Sequence, residues 1–247
     1  MEENQYTKDF YNSQRKRSRI SASHILPLVF EILKPKSILD IGCGTGEWLK
    51  ASKDLGVNKV FGIDGYYVDH AMLSITEEEF MEYDLKQPVE LNKIFDLAIS
   101  MEVAEHLPED VSDVFIGSLT NHSNCVLFSA AIPDQGGTYH INEQWQDYWV
   151  AKFEKRGYLP IDFLRNRIWE SKEIDWWYKQ NMILFVENET IKQNAVLNTL
   201  YQSNNKVSYN SIHPELKFIL NKINTPIGRF SNEPIYTFKK FWNYIFG

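Results

Sequence analysis

The stretch Ser37-Ile-Leu-Asp-Ile-Gly-Cys-Gly-Thr-Gly-Glu47 decides the fold. A short apolar run leads directly into a loop with glycine at every second position. A helical pattern then begins at Glu47. Glycines at such a place let the backbone turn tightly and let a ligand approach closely. A strand, a glycine loop and a helix in this order are typical of one unit of a parallel sheet.

The residues on either side repeat this alternation of strand and helix. Apolar runs bounded by turn residues predict the strands, and apolar residues at helical spacing predict the helices. The predicted strands are 37–41, 57–63, 80–83, 95–100 and 126–132, and the predicted helices are 21–33, 47–55, 102–107, 111–119 and 143–156. Such a rhythm predicts a parallel sheet that is covered on both faces.

The rhythm breaks after the fifth strand and the helix that follows it. Residues 158–164 and 182–186 both have strand patterns, and no clear crossover helix separates them, which predicts an antiparallel pair at one sheet edge. We therefore expect an α/β protein with a doubly wound, mostly parallel seven-stranded sheet of the Rossmann-like type. The expected organisation is an N-terminal helical segment at 1–36, a core at 37–187 and a C-terminal extension at 188–247 whose role the pattern does not indicate.

Composition and charge limit the function classes. The 247 residues are 43% hydrophobic and 24% charged, which is typical of a globular enzyme and excludes a disordered chain. The net charge of −7 disfavours binding to a phosphate backbone, and the sequence shows one dense basic run, 15–19. Cys43 and Cys125 make neither a disulfide framework nor a zinc site. With no signal peptide in the sequence and no apolar run of membrane-spanning length, we expect a cytoplasmic location.

The glycine loop and two acids after it indicate the ligand. A dinucleotide site would need glycine at position 47, but this position is Glu47, which would repel a pyrophosphate. Asp64 ends the second predicted strand, where a carboxylate can accept hydrogen bonds from both ribose hydroxyls. Asp84 follows the third strand and can accept from an adenine amino group. An adenosine ligand without phosphates, S-adenosylmethionine, fits these features.

A second motif, Glu102-Val-Ala-Glu105-His106, follows the fourth strand, where ligands collect in open α/β sheets. If the segment is helical, the three side chains share one face. Two carboxylates and an imidazole make a plausible Mg²⁺ or Mn²⁺ site, to which His140 in the glycine loop after the fifth strand can add a ligand. The alternative is that these residues only cap the helix or brace the cofactor loop, with Glu105 on a solvated face.

Residues just after His140 are candidates for binding the acceptor. Asn142, Gln144 and Trp145 combine amides with an aromatic ring, a mixture that suits a sugar. The helical spacing of the aromatic residues at 145, 148 and 149 equally predicts packing on the core. The sequence does not indicate an oligomeric state.

Residues 25–187 resemble the class I S-adenosylmethionine-dependent methyltransferases. The resemblance implies that Asp40 and the loop hold the methionine moiety, that Asp64 binds ribose and that Asp84 with Leu85 brackets adenine. The loop residues concerned are Gly42, Cys43, Gly44 and Gly46. Ser100 and Met101 would face the sulfonium.

The Glu-x-x-Glu-His run with a later histidine is similar to small-RNA 2′-O-methyltransferases and ubiquinone-pathway O-methyltransferases. That similarity implies that Glu102, Glu105, His106 and His140 hold a divalent cation against a diol. The segment 128–149 also resembles a large bacterial group of uncharacterised methyltransferases that we associate with glycan and nucleotide-sugar pathways.

These patterns together predict metal-assisted O-methylation of a diol-bearing sugar, glycan or small metabolite, with nucleic acid disfavoured. Glu102, His106 and His140 would carry the chemistry. His140 could instead act as a general base, because a metal-bound nitrogen has no free lone pair. The alternatives are a metal-independent general-base O- or N-methyltransferase and a non-catalytic S-adenosylmethionine-binding subunit.

Overall fold

The computed structural model describes residues 8–204 and 206–223. The chain divides into two compact units, Met1–Ser211 and Ile212–Gly247. Of the second unit, the structure describes the residues up to 223, which include helix α9 (Pro214–Ile223). The helices of the first unit are α1 (Lys8–Leu33), α2 (Glu47–Asp54), α3 (Ser112–Thr120), α4 (Gln146–Glu154), α5 (Leu164–Ile168), α6 (Trp176–Asn181), α7 (Asn188–Gln193) and α8 (Ala195–Asn204).

A seven-stranded sheet forms the centre of the first unit. Its strands are β1 (Ser37–Ile41), β2 (Lys59–Asp64), β3 (Phe80–Glu82), β4 (Leu97–Met101), β5 (Cys125–Ser129), β6 (Tyr158–Ile161) and β7 (Ile183–Glu187). They lie in the order β3-β2-β1-β4-β5-β7-β6. The first five strands pair in parallel, whereas β7 is antiparallel to both β5 and β6. This arrangement confirms the predicted doubly wound sheet with an antiparallel edge pair.

The strand order places one crevice in the sheet. From β1 the chain proceeds outward to β2 and β3, and it then returns to place β4 on the other side of β1. The connections that leave β1 and β4 therefore diverge, and the carboxyl ends of these two strands border an open crevice. The glycine loop follows β1, and Glu102 follows β4.

Both faces of the sheet are buried against helices. Alternate residues of β4 belong to two apolar clusters, with Leu97 and Ile99 in one and Ala98 in the other. The first cluster includes apolar residues of α1, α2 and α6, and the second includes residues of α3 and α4. On the second face, the Phe153 ring stacks on Phe185 with 3.8 Å between ring centroids. This double burial explains why the central strands have continuous apolar sequences instead of alternating ones.

Three local predictions differ from the structure. The first helix begins at Lys8 instead of 21, because the polar residues before 21 continue the same helix. Two short helices, α5 and α6, lie between β6 and β7, and each is too short to give a clear periodic pattern. The predicted helix at 102–107 is wrong, because only a 3₁₀ turn of three residues forms, Ala104–His106.

The arginines of the basic run at 15–19 form ion pairs with acidic residues of the same chain. Arg15 and Arg19 form ion pairs with acids of α2, at 2.9 Å and 2.7 Å respectively. Arg17 pairs with the buried carboxylate of Asp175, which precedes α6. These arginines therefore attach α1 to the sheet's helical layer. Among the described residues, no helix has the length and apolar character needed to cross a membrane.

Candidate active site

The glycine loop needs its glycines for two different reasons. Gly42, Gly44 and Gly46 all have positive φ angles, of 87°, 53° and 82°. A Cβ on Gly42 would lie 2.3 Å from a methyl group of Val103, so the residue allows the loop to approach the segment after β4. A Cβ on Gly44 would meet nothing within 4 Å. The loop is therefore packed at its start and open at its middle, where a ligand can approach the backbone.

Helix α1 fixes the far end of this loop. Glu47, the first residue of α2, is buried, and its carboxylate accepts hydrogen bonds from Arg15 (2.9 Å) and from the Ser74 hydroxyl (2.6 Å). Arg15 also donates to the Ser74 hydroxyl at 3.0 Å, and the Ser74 amide donates to the carbonyl of Thr45. These contacts join α1, the glycine loop and the segment before β3.

Asp40 is the strongest sign of a cationic ligand at the loop. Its side chain is buried, and one carboxylate oxygen has no hydrogen-bond partner in the described part of the chain. Burial, followed by the nearby charge of Asp64, raises the pKa of Asp40 well above its usual range. A buried carboxylate without a donor is costly, so the position fits a ligand that supplies one, such as the ammonium group of S-adenosylmethionine.

Asp64 lies where β2 ends, as the sequence indicated, and its carboxylate is already occupied. It accepts hydrogen bonds from the Gly44 amide (2.5 Å), the Gly65 amide (2.7 Å) and the Tyr67 hydroxyl. Burial raises the pKa of Asp64, although all three hydrogen bonds oppose that shift. A ribose hydroxyl would therefore compete with the phenol of Tyr67 for this carboxylate.

The other predicted cofactor residues fall into exposed and buried positions. Asp84 is exposed and accepts from the Lys86 amide at 3.1 Å, while Leu85 beside it is buried. Ser100 is buried and its hydroxyl has no partner among the described residues, whereas Met101 lies on the opposite sheet face because strand side chains alternate. Cys43 is also buried, and burial raises the pKa of its thiol.

Three predicted metal ligands converge beyond β4. One ligand atom from each of Glu105, His106 and His140 lies within 4.8 Å of the others. Glu105 is fully buried, and neither of its carboxylate oxygens has a hydrogen-bond partner among the residues described. Burial, followed by the charge of Glu102, raises the pKa of Glu105 well above its usual range, although the nearby backbone amides of Glu105 and Ala131, which do not reach hydrogen-bond geometry, oppose that shift. Partial burial and the neighbouring His140 lower the pKa of His106 to about 4, which keeps this imidazole neutral.

Glu102 does not join this convergent group. Its backbone is left-handed, with a φ of 55°, and its carboxylate accepts from Asn181 (3.1 and 3.2 Å) and Gln135 (2.9 Å). Gln180 extends the network by donating to the side-chain oxygen of Gln135 at 3.2 Å. The one-face geometry expected from a helix is therefore wrong: the strained backbone directs Glu102 toward buried amides instead.

The loop after β5 brings His140 to the group. The amides of Ile141 and Asn142 donate to the backbone carbonyl of Glu105, at 2.9 and 3.0 Å. The Nδ1 atom of His140 lies 2.9 Å from a carboxylate oxygen of Glu143, and its Nε2 atom lies 4.0 Å from Glu105. The rings of His106 and His140 meet edge to face, with centroids 4.8 Å apart. Two segments distant in sequence thus form one site.

The three predicted acceptor residues differ in exposure. Asn142 is buried, and its amide donates weakly to the Ala104 carbonyl and the Ser112 hydroxyl, at 3.5 and 3.4 Å. Gln144 donates to the Asn142 side chain at 3.0 Å. Trp145 is 37% exposed, so of the three it presents the largest surface to a ligand. The predicted core packing holds for Trp149, which is buried against other aromatic rings.

Sequence reasoning missed the polar residues that surround the acids. Gln135, Gln180 and Asn181 are buried amides around Glu102, and Glu143 contacts His140. The signals in the sequence were weak. Gln180 and Asn181 form an amide pair just before β7, and Glu143 is an acid three positions after His140. Both patterns are common on solvated surfaces, so neither marked a site.

The chain matches a known family across its core. Residues 11–171 match the model of a methyltransferase domain family, and the chain belongs to this family. The glycine loop after β1 and the order of the seven strands are those that the resemblance to class I S-adenosylmethionine-dependent methyltransferases leads us to expect.

Individual relatives are more distant. The chain is 31% identical over 143 residues to the ribosomal protein L11 methyltransferase of Thermotoga maritima, and the match covers 54% of this chain and 47% of that protein. The enzyme of the same name from Thermotoga neapolitana is 27% identical over 146 residues, covering 55% and 48%. The chain therefore spans about half the length of the curated relatives it matches.

A solved structure shares the fold. The sugar N-methyltransferase KedS8 from Streptoalloteichus superposes with a TM-score of 0.58 at 12% identity, and the match covers 76% of this chain and 95% of that one. At this level of identity the likeness concerns the fold.

Proposed function

We propose that this methyltransferase acts on a hydroxyl of a diol-bearing sugar, glycan or small metabolite, with a divalent cation at Glu105, His106 and His140. The observation that carries the proposal is the fully buried Glu105 carboxylate, which lacks a hydrogen-bond partner in the described chain and faces two imidazoles. A buried carboxylate is stable when it is paired or coordinates a metal. The carboxylate oxygen suits Mg²⁺ or Mn²⁺, and the two imidazole nitrogens favour Mn²⁺ over Mg²⁺ because they prefer transition metals.

The residues of the crevice would divide the work of binding S-adenosylmethionine. Asp40 would accept from the ammonium group of the methionine part, and the open backbone at Gly44 would pass beside it. Asp64 would bind the ribose after the Tyr67 hydroxyl is displaced. Asp84 and Leu85 would border the adenine, one by accepting a hydrogen bond and the other by apolar contact.

The proposed reaction is an in-line displacement. The acceptor oxygen forms a bond to the methyl carbon while the bond from that carbon to sulfur breaks, and the hydroxyl proton leaves to a base. A bound divalent cation would supply orientation of two adjacent hydroxyls and a lower hydroxyl pKa. The chain would contribute the fixed positions of Glu105, His106 and His140, since holding reactants in place removes a large part of the entropic barrier.

A second candidate function keeps the methyl donor and omits the cation. The Nδ1 atom of His140 is bonded to Glu143, so Nε2 is the nitrogen that can take a proton from an acceptor oxygen or nitrogen. In this reading the chain is a general-base methyltransferase of a small metabolite. The buried, unpartnered Glu105 favours the first candidate, because a general base does not explain it.

Metal binding tests the proposal directly. We expect Mn²⁺ titrated into the metal-free protein to give a one-site isotherm and a change in its electron paramagnetic resonance signal. Glu105→Gln should remove that binding, while S-adenosylhomocysteine still binds in calorimetry. Glu109→Gln is the matched control, because Glu109 is an exposed acid four residues further along the chain.

Activity with and without chelation separates the two candidates. Methyl transfer from S-adenosylmethionine to catechol and to methyl glycosides should stop after exhaustive chelation. It should return when Mn²⁺ or Mg²⁺ is added. Full activity in the chelated enzyme would refute the metal-assisted reaction and leave the general-base reaction standing.

A further inference from the structure

Glu143 is the centre of the loop that carries His140. One of its carboxylate oxygens lies 2.9 Å from the Nδ1 atom of His140 and accepts a hydrogen bond from the Gly136 amide at 2.8 Å. The other oxygen accepts from the Asp134 amide at 2.9 Å. The side chain is 19% exposed, so these hydrogen bonds are partly shielded from water. A single side chain thus connects both ends of the loop with the imidazole.

This contact determines which nitrogen of His140 carries the proton. An ionised carboxylate can only accept hydrogen bonds, and the two backbone amides already act as donors to it. The Nδ1 atom must therefore donate, which in a neutral imidazole leaves the lone pair on Nε2. Nε2 is the nitrogen that lies toward Glu105, at 4.0 Å.

The backbone of the loop also packs against the imidazole ring of His140, at Gly137. A Cβ on Gly137 would lie 2.2 Å from Nε2 and 2.4 Å from Cε1 of His140. The ring is therefore packed against the backbone of Gly137, and only glycine leaves room for it there. A ring held at Nδ1 and packed against Gly137 has little freedom to turn.

We propose that Glu143 is a positioning residue that fixes the tautomer and the orientation of His140. The inference rests on the proposed function, in which the Nε2 atom of His140 serves the acceptor site. It holds for either role of that nitrogen, because a metal ligand and a proton acceptor both need a lone pair aimed at the site. Carboxylates behind ligating histidines commonly fix the ring in this way.

Nitrogen NMR on the full-length protein tests the tautomer itself. The protein is labelled with ¹⁵N-histidine and measured free of metal and methyl donor, and loss of one signal in His140→Gln identifies the ring among the six histidines. At a pH high enough to leave the ring neutral, we expect His140 to show a protonated Nδ1 and an unprotonated Nε2. A neutral ring with its proton on Nε2 would overturn the inference, and this result needs no variant of Glu143 to fold.

Glu143→Gln tests the cause. Without the negative charge the preference for Nδ1–H should be lost, so that a mixture of tautomers appears. Affinity for Mn²⁺ should fall about 10- to 100-fold, the usual effect of removing a carboxylate behind a ligating histidine. Asp134→Asn is the matched control, because it removes one carboxylate from an exposed position of the same loop and should change neither measurement.

The two readouts separate this inference from the proposed function. If the wild type binds no Mn²⁺ but His140 is Nδ1-protonated and loses that preference in Glu143→Gln, the positioning role stands and the metal-assisted reaction fails. If the wild type binds Mn²⁺ and Glu143→Gln keeps the wild-type tautomer, the positioning role fails and the metal site stands.

Discussion

At the scale of single residues, the site is defined by carboxylates that the fold leaves without partners. Asp40 and Glu105 are both buried, and each has at least one oxygen without a hydrogen-bond partner in the described chain. Such groups destabilise a protein unless a ligand completes them. One lies beside the glycine loop and the other beside two histidines, so each half of the crevice holds one such carboxylate.

The stability of the metal-free protein should report the state of Glu105. The pKa of Glu105 is raised in the folded protein. Below its pKa in the unfolded chain, about 4.5, Glu105 is therefore protonated in both the folded and the unfolded protein. As pH rises, the unfolded chain ionises first, and stability is lost until the folded pKa is passed. Glu105→Gln cannot ionise, so its free energy of unfolding relative to the wild type should increase as the pH rises above 4.5 and should level off above the folded pKa of Glu105.

Urea unfolding of the metal-free protein across this pH range measures the difference between variant and wild type. Glu109→Gln should show no such trend, because Glu109 is exposed. A stability difference for Glu105→Gln that is independent of pH would contradict the assignment of a buried, ionisable carboxylate.

Sequence reasoning reached the acids and histidines of the site but not their supports. Glu105, His106 and His140 stand out because their residue types and spacing are chemically unusual. Glu143 and Asn181 do not, because an acid or an amide acquires its meaning from a contact made by another segment. Glu102 was placed with the ligands by assuming a helix, and its left-handed backbone could not be deduced from its neighbours in sequence.

At the scale of elements, the glycine loop is held between two packed ends. Gly42 approaches Val103 after β4, and Glu47 is tied to α1 and Ser74. The loop therefore owes its shape to three other segments of the core, and its middle stays open.

Two glycine substitutions separate backbone strain from steric overlap. Gly42→Ala and Gly56→Ala both place alanine at a positive φ, which costs about 1–2 kcal/mol. Gly42→Ala should cost about 1–3 kcal/mol more, because its Cβ overlaps Val103, whereas the Cβ at 56 would meet nothing within 4 Å.

Thermal or urea unfolding gives both values, and calorimetry with S-adenosylhomocysteine shows the effect on the ligand. Gly42→Ala should lower the affinity for S-adenosylhomocysteine. Gly56→Ala, at a position after α2, should leave that affinity unchanged. Equal effects of the two changes would show that the approach to Val103 does not shape the loop.

The elements themselves were predictable where their patterns are long. Four of the five parallel strands follow from apolar runs that end near glycine or an acid, and the fifth run ends at Pro133. The antiparallel pair follows from the lack of a clear helical pattern between its two strands. The 3₁₀ turn at Ala104–His106 was not predictable, because three residues are too few to show a period. The same limit applies to α5 and α6.

At the scale of the whole molecule, a buried ion cluster ties the segment after α8 to the core. Arg165 pairs with Asp162 through two hydrogen bonds, at 2.8 and 2.6 Å, and both side chains are buried. Lys206 also pairs with Asp162, and Arg165 donates to the carbonyls of Gln180 and Tyr209. Residues 206–209, which the sequence placed in an extension of unknown role, are thus joined to α5 and α6.

Removing one member of this cluster should be costly. Among the residues that the structure describes, Arg165→Met leaves the buried Asp162 with Lys206 as its side-chain partner, so the free energy of unfolding should fall by about 3–5 kcal/mol. Arg167→Met is the matched control, because the pair of Arg167 with Glu31 is exposed on both sides and should contribute less than about 1 kcal/mol. Urea denaturation of both variants measures this, and equal losses would contradict the role of the buried pair.

The bond between Arg15 and Glu47 has a practical consequence for handling the protein. Trimming a polar N-terminal stretch is a routine step before crystallisation, and here a cut beyond residue 15 would take away the guanidinium that covers the buried carboxylate next to the glycine loop. Weak binding of the methyl donor by such a shortened preparation would then reflect the lost arginine.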